Sequence, residues 1–119
     1  MKRLSTIAVT IALLVMVPAS VSADVRSSSG KITFLRVHDV GTGFGPPSDS
    51  IDVEVVIQLN GNTTESFGFQ LRNDNNRAAR QGMLDLLRDA FNNNWTVAID
   101  YDITPPRKNG VIFRVAVLK

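Results

Sequence analysis

RAARQGMLDLLRDAFN, residues 77–92, runs through a short Asn turn into WTVAIDYDI, residues 95–103, and the change of period between them decides the fold. In the first stretch Ala79, Met83, Leu86, Leu87, Ala90 and Phe91 recur at three- and four-residue spacing. That spacing predicts a helix over Arg77–Asn92 with one apolar stripe. Arg77, Arg80, Gln81, Asp85, Arg88 and Asp89 cover the other face, where each charge pair contributes a few tenths of a kcal/mol. Asn73-Asp74-Asn75-Asn76 supplies N-cap candidates. Asn92-Asn93-Asn94 ends the helix, because Asn adopts the left-handed conformation more readily than most residues. From Trp95 the period is two: Trp95, Val97, Ile99, Tyr101 and Ile103 point inward, and Thr96, Asp100 and Asp102 outward.

Upstream of the helix the chain reads as three strands. Lys31–His38 is rich in β-formers but breaks strict alternation, as a strand with a bulge or one buried on both faces does. Asp39–Ser50 (DVGTGFGPPSDS) is a long loop. Ile51–Leu59 alternates, with Ile51, Val53, Val55, Ile57 and Leu59 inward and Asp52, Glu54 and Gln58 outward. Asn60-Gly61 signals a hairpin, since both residues tolerate positive φ. Glu65–Arg72 returns with Phe67, Phe69 and Leu71 inward. Downstream, Thr104–Gly110 (TPPRKNG) is a turn, and Val111–Leu118 is apolar on both faces apart from Arg114, so both faces are expected to be covered. Three strands, a helix and two strands give a mostly β chain with the order of an OB-fold: a five-stranded, partly open barrel with its one helix, between strands 3 and 4, plugging the open end.

Residues 1–23 read as a secretory leader. Lys2 and Arg3 start it, Leu4–Val17 is an uncharged and mostly apolar run, and Val21-Ser22-Ala23 is a small-residue cleavage site. The run is short for a membrane span, so no span is expected after removal. The expected product is a secreted or periplasmic bacterial protein, with residues 24–30 (DVRSSSG) a flexible lead and 31–119 the domain. Of 13 basic residues Lys2 and Arg3 leave with the leader, which brings the mature chain to formal neutrality against 11 acidic ones. Neutrality argues against nucleic acid as a partner. There is no Cys, so stability must come from an efficient core, from oligomerisation, or from both.

The stretch Asn75–Tyr101 resembles the cell-binding B subunits of pentameric bacterial toxins, the subtilase cytotoxin type above all. An Asn-rich lead opens an amphipathic helix (QGMLDLLRDAF), and a polar Asn turn leads into a strand alternating through Val97, Ile99 and Tyr101. The resemblance implies an exported OB-fold, a homo-oligomeric ring such as a pentamer, and glycan binding. The cysteines common in those subunits are missing here.

OB-folds place ligands between the loop joining the first two strands and the loop joining the last two. The expected contact surface is therefore Asp39, Thr42 and Phe44 on one loop with Arg107 and Lys108 on the other. Phe44 among glycines either presents its ring to a ligand or folds back as a lid on the core, and folding back is the commoner fate of such rings. The Gly-rich run is no phosphate loop, lacking a Gly-Lys-Ser/Thr ending. His38-Asp39 is the one cluster resembling a general base or metal ligand, but a lone His without Cys or an ordered nucleophile reads better as structure. Asp100 and Asp102 fall short of the six to eight oxygens Ca²⁺ takes. Nothing suggests a cofactor, and the expectation is a binding protein for a glycan or another protein, without catalysis. The alternative is an envelope accessory protein whose strand edges pair with another chain.

Overall fold

The computed structural model describes residues 10–12 and 24–119. The leader expected over residues 1–23, apart from residues 10–12, lies outside the described residues. The chain forms β1 (Asp24–Val37), β2 (Val55–Leu59), β3 (Asn62–Phe69), α1 (Arg77–Asn93), β4 (Thr96–Ile103) and β5 (Gly110–Leu118). The five strands make one mostly antiparallel sheet, and its order, β1-β2-β3-β5-β4, closes on itself. The junction of β3 with β5 is parallel and short, with Phe67 opposite Gly110 and Gly68 opposite Val111. No helix among the described residues is long and apolar enough to cross a membrane.

β1 makes the closure. Asp24–Lys31 pairs with β4, from Asp24 opposite Ile103 to Lys31 opposite Thr96. Ile32–Val37 pairs with β2, with a register shift between Ile32 and Phe34, so of the two readings of this strand the bulged one is found. Gly30 marks the crossing point, where a Cβ would sit 2.6 Å from Asn60 Oδ1. Residues 24–30 are thus strand and not a flexible lead. Ser27 and Ser29 are exposed and Ser28 between them is half-buried, and the ladder to β4 holds the segment despite its poor β-propensity. Ser27 also donates to the Asp100 carboxylate, which Arg114 reaches from β5. Ser27 first and Arg114 second hold Asp100 below its ordinary pKa.

The main core joins Val55, Ile57, Leu59, Phe67, Phe69, Val97, Ile99, Tyr101 and Ile112 from the sheet to Leu87 and Ala90 from α1. Phe67 and Tyr101 stack at a tilt, centroids 4.7 Å apart. Each such buried side chain contributes about 1.5–3 kcal/mol. α1 packs on β1, β4 and β5. Asn94 caps it in the left-handed conformation, as expected. Asp74, not the Asn76 side chain, tends its start, accepting from the Asn76 N–H. The stripe is narrower than expected: Ala79, Leu86 and Phe91 are exposed, and Met83 and Leu84 are partly buried. Leu86 is one residue, about 100° of helical rotation, away from Leu87, which the core centres on. Ala79 and Phe91 fall at the two ends of the helix.

Three further expectations are corrected. β2 proper begins at Val55, and Ile51 and Val53 join Val56 in a second, outer cluster against which Phe34 and Phe44 pack. Glu54, expected outward, is 1% exposed. Its carboxylate accepts from the Leu71 N–H at 3.2 Å and from Arg72 Nε at 2.9 Å, which offsets the cost of burying the charge. Arg72 also reaches Asp52, and the two carboxylates, Glu54 foremost, raise its pKa. Lastly, the outer face of β5 is bare among the described residues. Val111, Phe113 and Leu118 are exposed, Phe113 at 49%, where a bulge separates the Tyr101–Ile112 and Asp100–Arg114 pairs. The Asn60-Gly61 turn joins β2 to β3 as expected, though neither residue takes positive φ.

Candidate functional site

The loop from His38 to Glu54 does not stand away from the sheet. Phe44 and Ile51 exchange two backbone hydrogen bonds, of 2.8 and 2.7 Å, and so close an inner turn. Gly45 at φ 101° permits that turn, and a Cβ there would lie 2.6 Å from the Asp49 carbonyl oxygen. The Phe44 ring is consequently half-buried on the outer cluster, with the Arg36 guanidinium 4.8 Å from its centroid. Of the two placements open to Phe44, the chain adopts the folded-back one.

Beyond Gly45 the loop is fastened to the β4–β5 turn. Asp49 Oδ1 accepts from the backbone N–H groups of Lys108 at 2.8 Å and Asn109 at 3.1 Å. Asn109 Nδ2 donates back to the Asp49 carbonyl at 3.0 Å. On its other side Asn109 Oδ1 accepts from the Ser66 N–H of β3 at 3.0 Å. Asn109 is 7% exposed, so one buried amide ties both loops to the sheet just where β3 and β5 make their short junction. A cleft of about 320 Å³ opens over this fastening, lined by Pro46, Ser48, Asp49, Pro106 and Lys108.

The cleft is lined by two apolar prolines, by Ser48 and by Lys108, whose side chain carries an ammonium. Asp49 is committed through one carboxylate oxygen to the fastening. Such a surface can receive a ligand with an apolar face and an acceptor group. Among the described residues no three His, Asp or Glu side chains cluster as a metal would require.

Of the five residues expected at the site, Lys108 lines the cleft and Arg107 is exposed beside it in the same turn. Phe44 is two residues from the cleft-lining Pro46 but packs inward. Asp39 and Thr42 are exposed on the first limb of the loop and line no part of the cleft. His38 is partly buried, its Nδ1 near the Asp39 carbonyl at 3.3 Å, and its Nε2 has no hydrogen-bond partner among the described residues. The residues that sequence reading missed are Pro46, Ser48, Asp49, Pro106 and Asn109. Asn109-Gly110 announces only a turn, and no pattern in the sequence reveals that its amide bridges three segments.

Comparison of the chain with protein-family models finds no match, and comparisons with curated proteins and with solved structures find none either.

Proposed function

We propose that this chain is a secreted or periplasmic OB-fold-like barrel that binds a glycan or a protein segment, without catalysis, in the cleft between residues 46–49 and 106–108. The observation that carries this reading is the fastening of two loops to each other and to β3 through Asp49 and Asn109. Preorganised walls lower the ordering cost a ligand would otherwise meet. The closed strand order, with the helix between the third and fourth strands, supports the OB-fold assignment. The kinship with toxin B subunits rests on Asn75–Tyr101 alone and adds a ring, such as a pentamer, to the proposal.

The test pairs binding with mass. Lys108→Ala and Ser48→Ala spare the backbone N–H that Asp49 holds, so both variants should melt with the parent while losing signal on a glycan array or in a pull-down from periplasm. Undiminished binding by both removes the cleft from the proposal. Light scattering near five times the mature mass supports the ring, and a monomer removes it.

A second reading is that of an accessory protein paired with another chain. Among the described residues β5 has, from Ile112 onward, a strand neighbour only on the β4 side, and an open edge with exposed Phe113 suits strand addition. A one-to-one complex with an envelope protein, abolished by Ala116→Pro and unaffected by Lys108→Ala, selects this reading.

A further inference from the structure

The chain contains two Asn-Gly pairs, Asn60-Gly61 and Asn109-Gly110, and the fold treats them in opposite ways. We propose that Asn60 is a self-modification site, activated by the backbone N–H of Lys31, whereas Asn109 is shielded from the same chemistry. In the reaction the Gly61 nitrogen attacks Asn60 Cγ and forms a five-membered imide. The Cγ–Nδ2 bond breaks, and ammonia departs with the former Gly61 amide proton. Water then opens the imide at either carbonyl, leaving aspartate or isoaspartate at position 60.

Three observations place this reaction at Asn60. The residue is exposed at the tip of the β2–β3 turn, where solvent base and water reach it. Its Oδ1 accepts from the Lys31 N–H at 3.0 Å, so a fixed donor already points at the oxygen that gains negative charge when Cγ becomes tetrahedral. The Asn60 N–H in turn donates to the Lys31 carbonyl at 2.9 Å, which steadies the residue for attack. Among the described residues nothing holds Nδ2, the leaving group. At Asn109 both ends of the amide are engaged, by Ser66 and by Asp49, and Gly110 is buried in β5 opposite Phe67.

The consequence reaches the closure of the sheet. Isoaspartate lengthens the turn backbone by one carbon and draws residue 60 away from Lys31, beside the point where β1 changes partners. Aspartate keeps the acceptor but adds a negative charge.

The experiment ages the folded protein at mildly alkaline pH and follows each pair by peptide mass spectrometry, with synthetic peptides of residues 56–65 and 105–114 as references. Asn60 should convert in the folded protein at least as fast as in its peptide, and Asn109 an order of magnitude more slowly than in its own. Equal slowing of both, or faster loss at Asn109, overturns the proposal. Gly61→Ala supplies the second arm. A Cβ there meets only the Ser29 carbonyl oxygen at 3.8 Å, so the variant should melt with the parent and convert Asn60 an order of magnitude more slowly. Conversion at the parent rate in that variant also overturns it.

Discussion

Asn109→Ala removes both polar arms of the side chain that joins the two loops to β3. The Ser66 N–H, on a residue 5% exposed, loses its acceptor, and the Asp49 carbonyl loses its donor. A buried donor left unsatisfied costs about 1–3 kcal/mol, and the second, partly buried bond adds about 1 kcal/mol. The expected destabilisation is therefore about 2–4 kcal/mol. At about 4–8 °C per kcal/mol for a domain of this size, the midpoint should fall by more than about 8 °C. Urea unfolding followed by circular dichroism gives the free energy, and a thermal scan gives the midpoint. Asn109→Asp sharpens the measurement, because it keeps the oxygen facing Ser66 and replaces the donor facing Asp49 with an acceptor. It should leave the core intact and weaken the hold of residues 46–49, seen as faster amide exchange at Lys108 and Asn109. A loss below about 0.5 kcal/mol in Asn109→Ala, within the range of an ordinary surface change, would refute the claim that this amide organises the site.

Arg72→Met leaves the Glu54 carboxylate buried with the Leu71 N–H alone, so it should destabilise strongly, and adding Glu54→Leu should recover part of the loss; a double variant no better than the single one contradicts the pairing. Burial first, and the Glu65 charge second, raise the Tyr101 pKa above its ordinary value of 10.0, so the folded state holds that proton more tightly than the unfolded chain. Stability from this group is then complete below about pH 10 and declines as pH rises beyond it. Tyr101→Phe should flatten that alkaline decline, and unfolding profiles that stay parallel to the parent's would count against it. Leu87→Ala, at a fully buried position, should cost about 2–5 kcal/mol in urea unfolding, whereas Leu86→Ala should cost under about 1 kcal/mol; similar values for both would move the helix off the core.

Much of the architecture could be read from periodicity. The α1 boundaries, the alternation of β4 and the Asn60-Gly61 turn follow from local spacing, which a short window captures. The errors share a cause: each depends on a partner distant in sequence. DVRSSSG lacks β-formers and becomes strand only because β4 offers a ladder some seventy residues away. Glu54 keeps the polar place in an alternating pattern, yet it is buried because Arg72 is brought beside it. The outer face of β5 reads as buried from composition, but among the described residues no element lies over Phe113. At the candidate site, the loop pair was legible from fold order and only Lys108 from residue type. The fastening by Asp49 and Asn109 was not legible, since a polar residue in a Gly- and Pro-rich loop has the same local signature whether it faces water or its own chain.

The divided allegiance of β1 also sets a timetable. Its second half finds β2 across one loop, but its first half waits for β4, which lies beyond the helix. During synthesis a nascent chain would carry that stretch unsatisfied until most of the polypeptide had emerged, and non-local joins of this sort form late. Closure of this sheet therefore comes late in assembly, once the partner of the first half of β1 is in place.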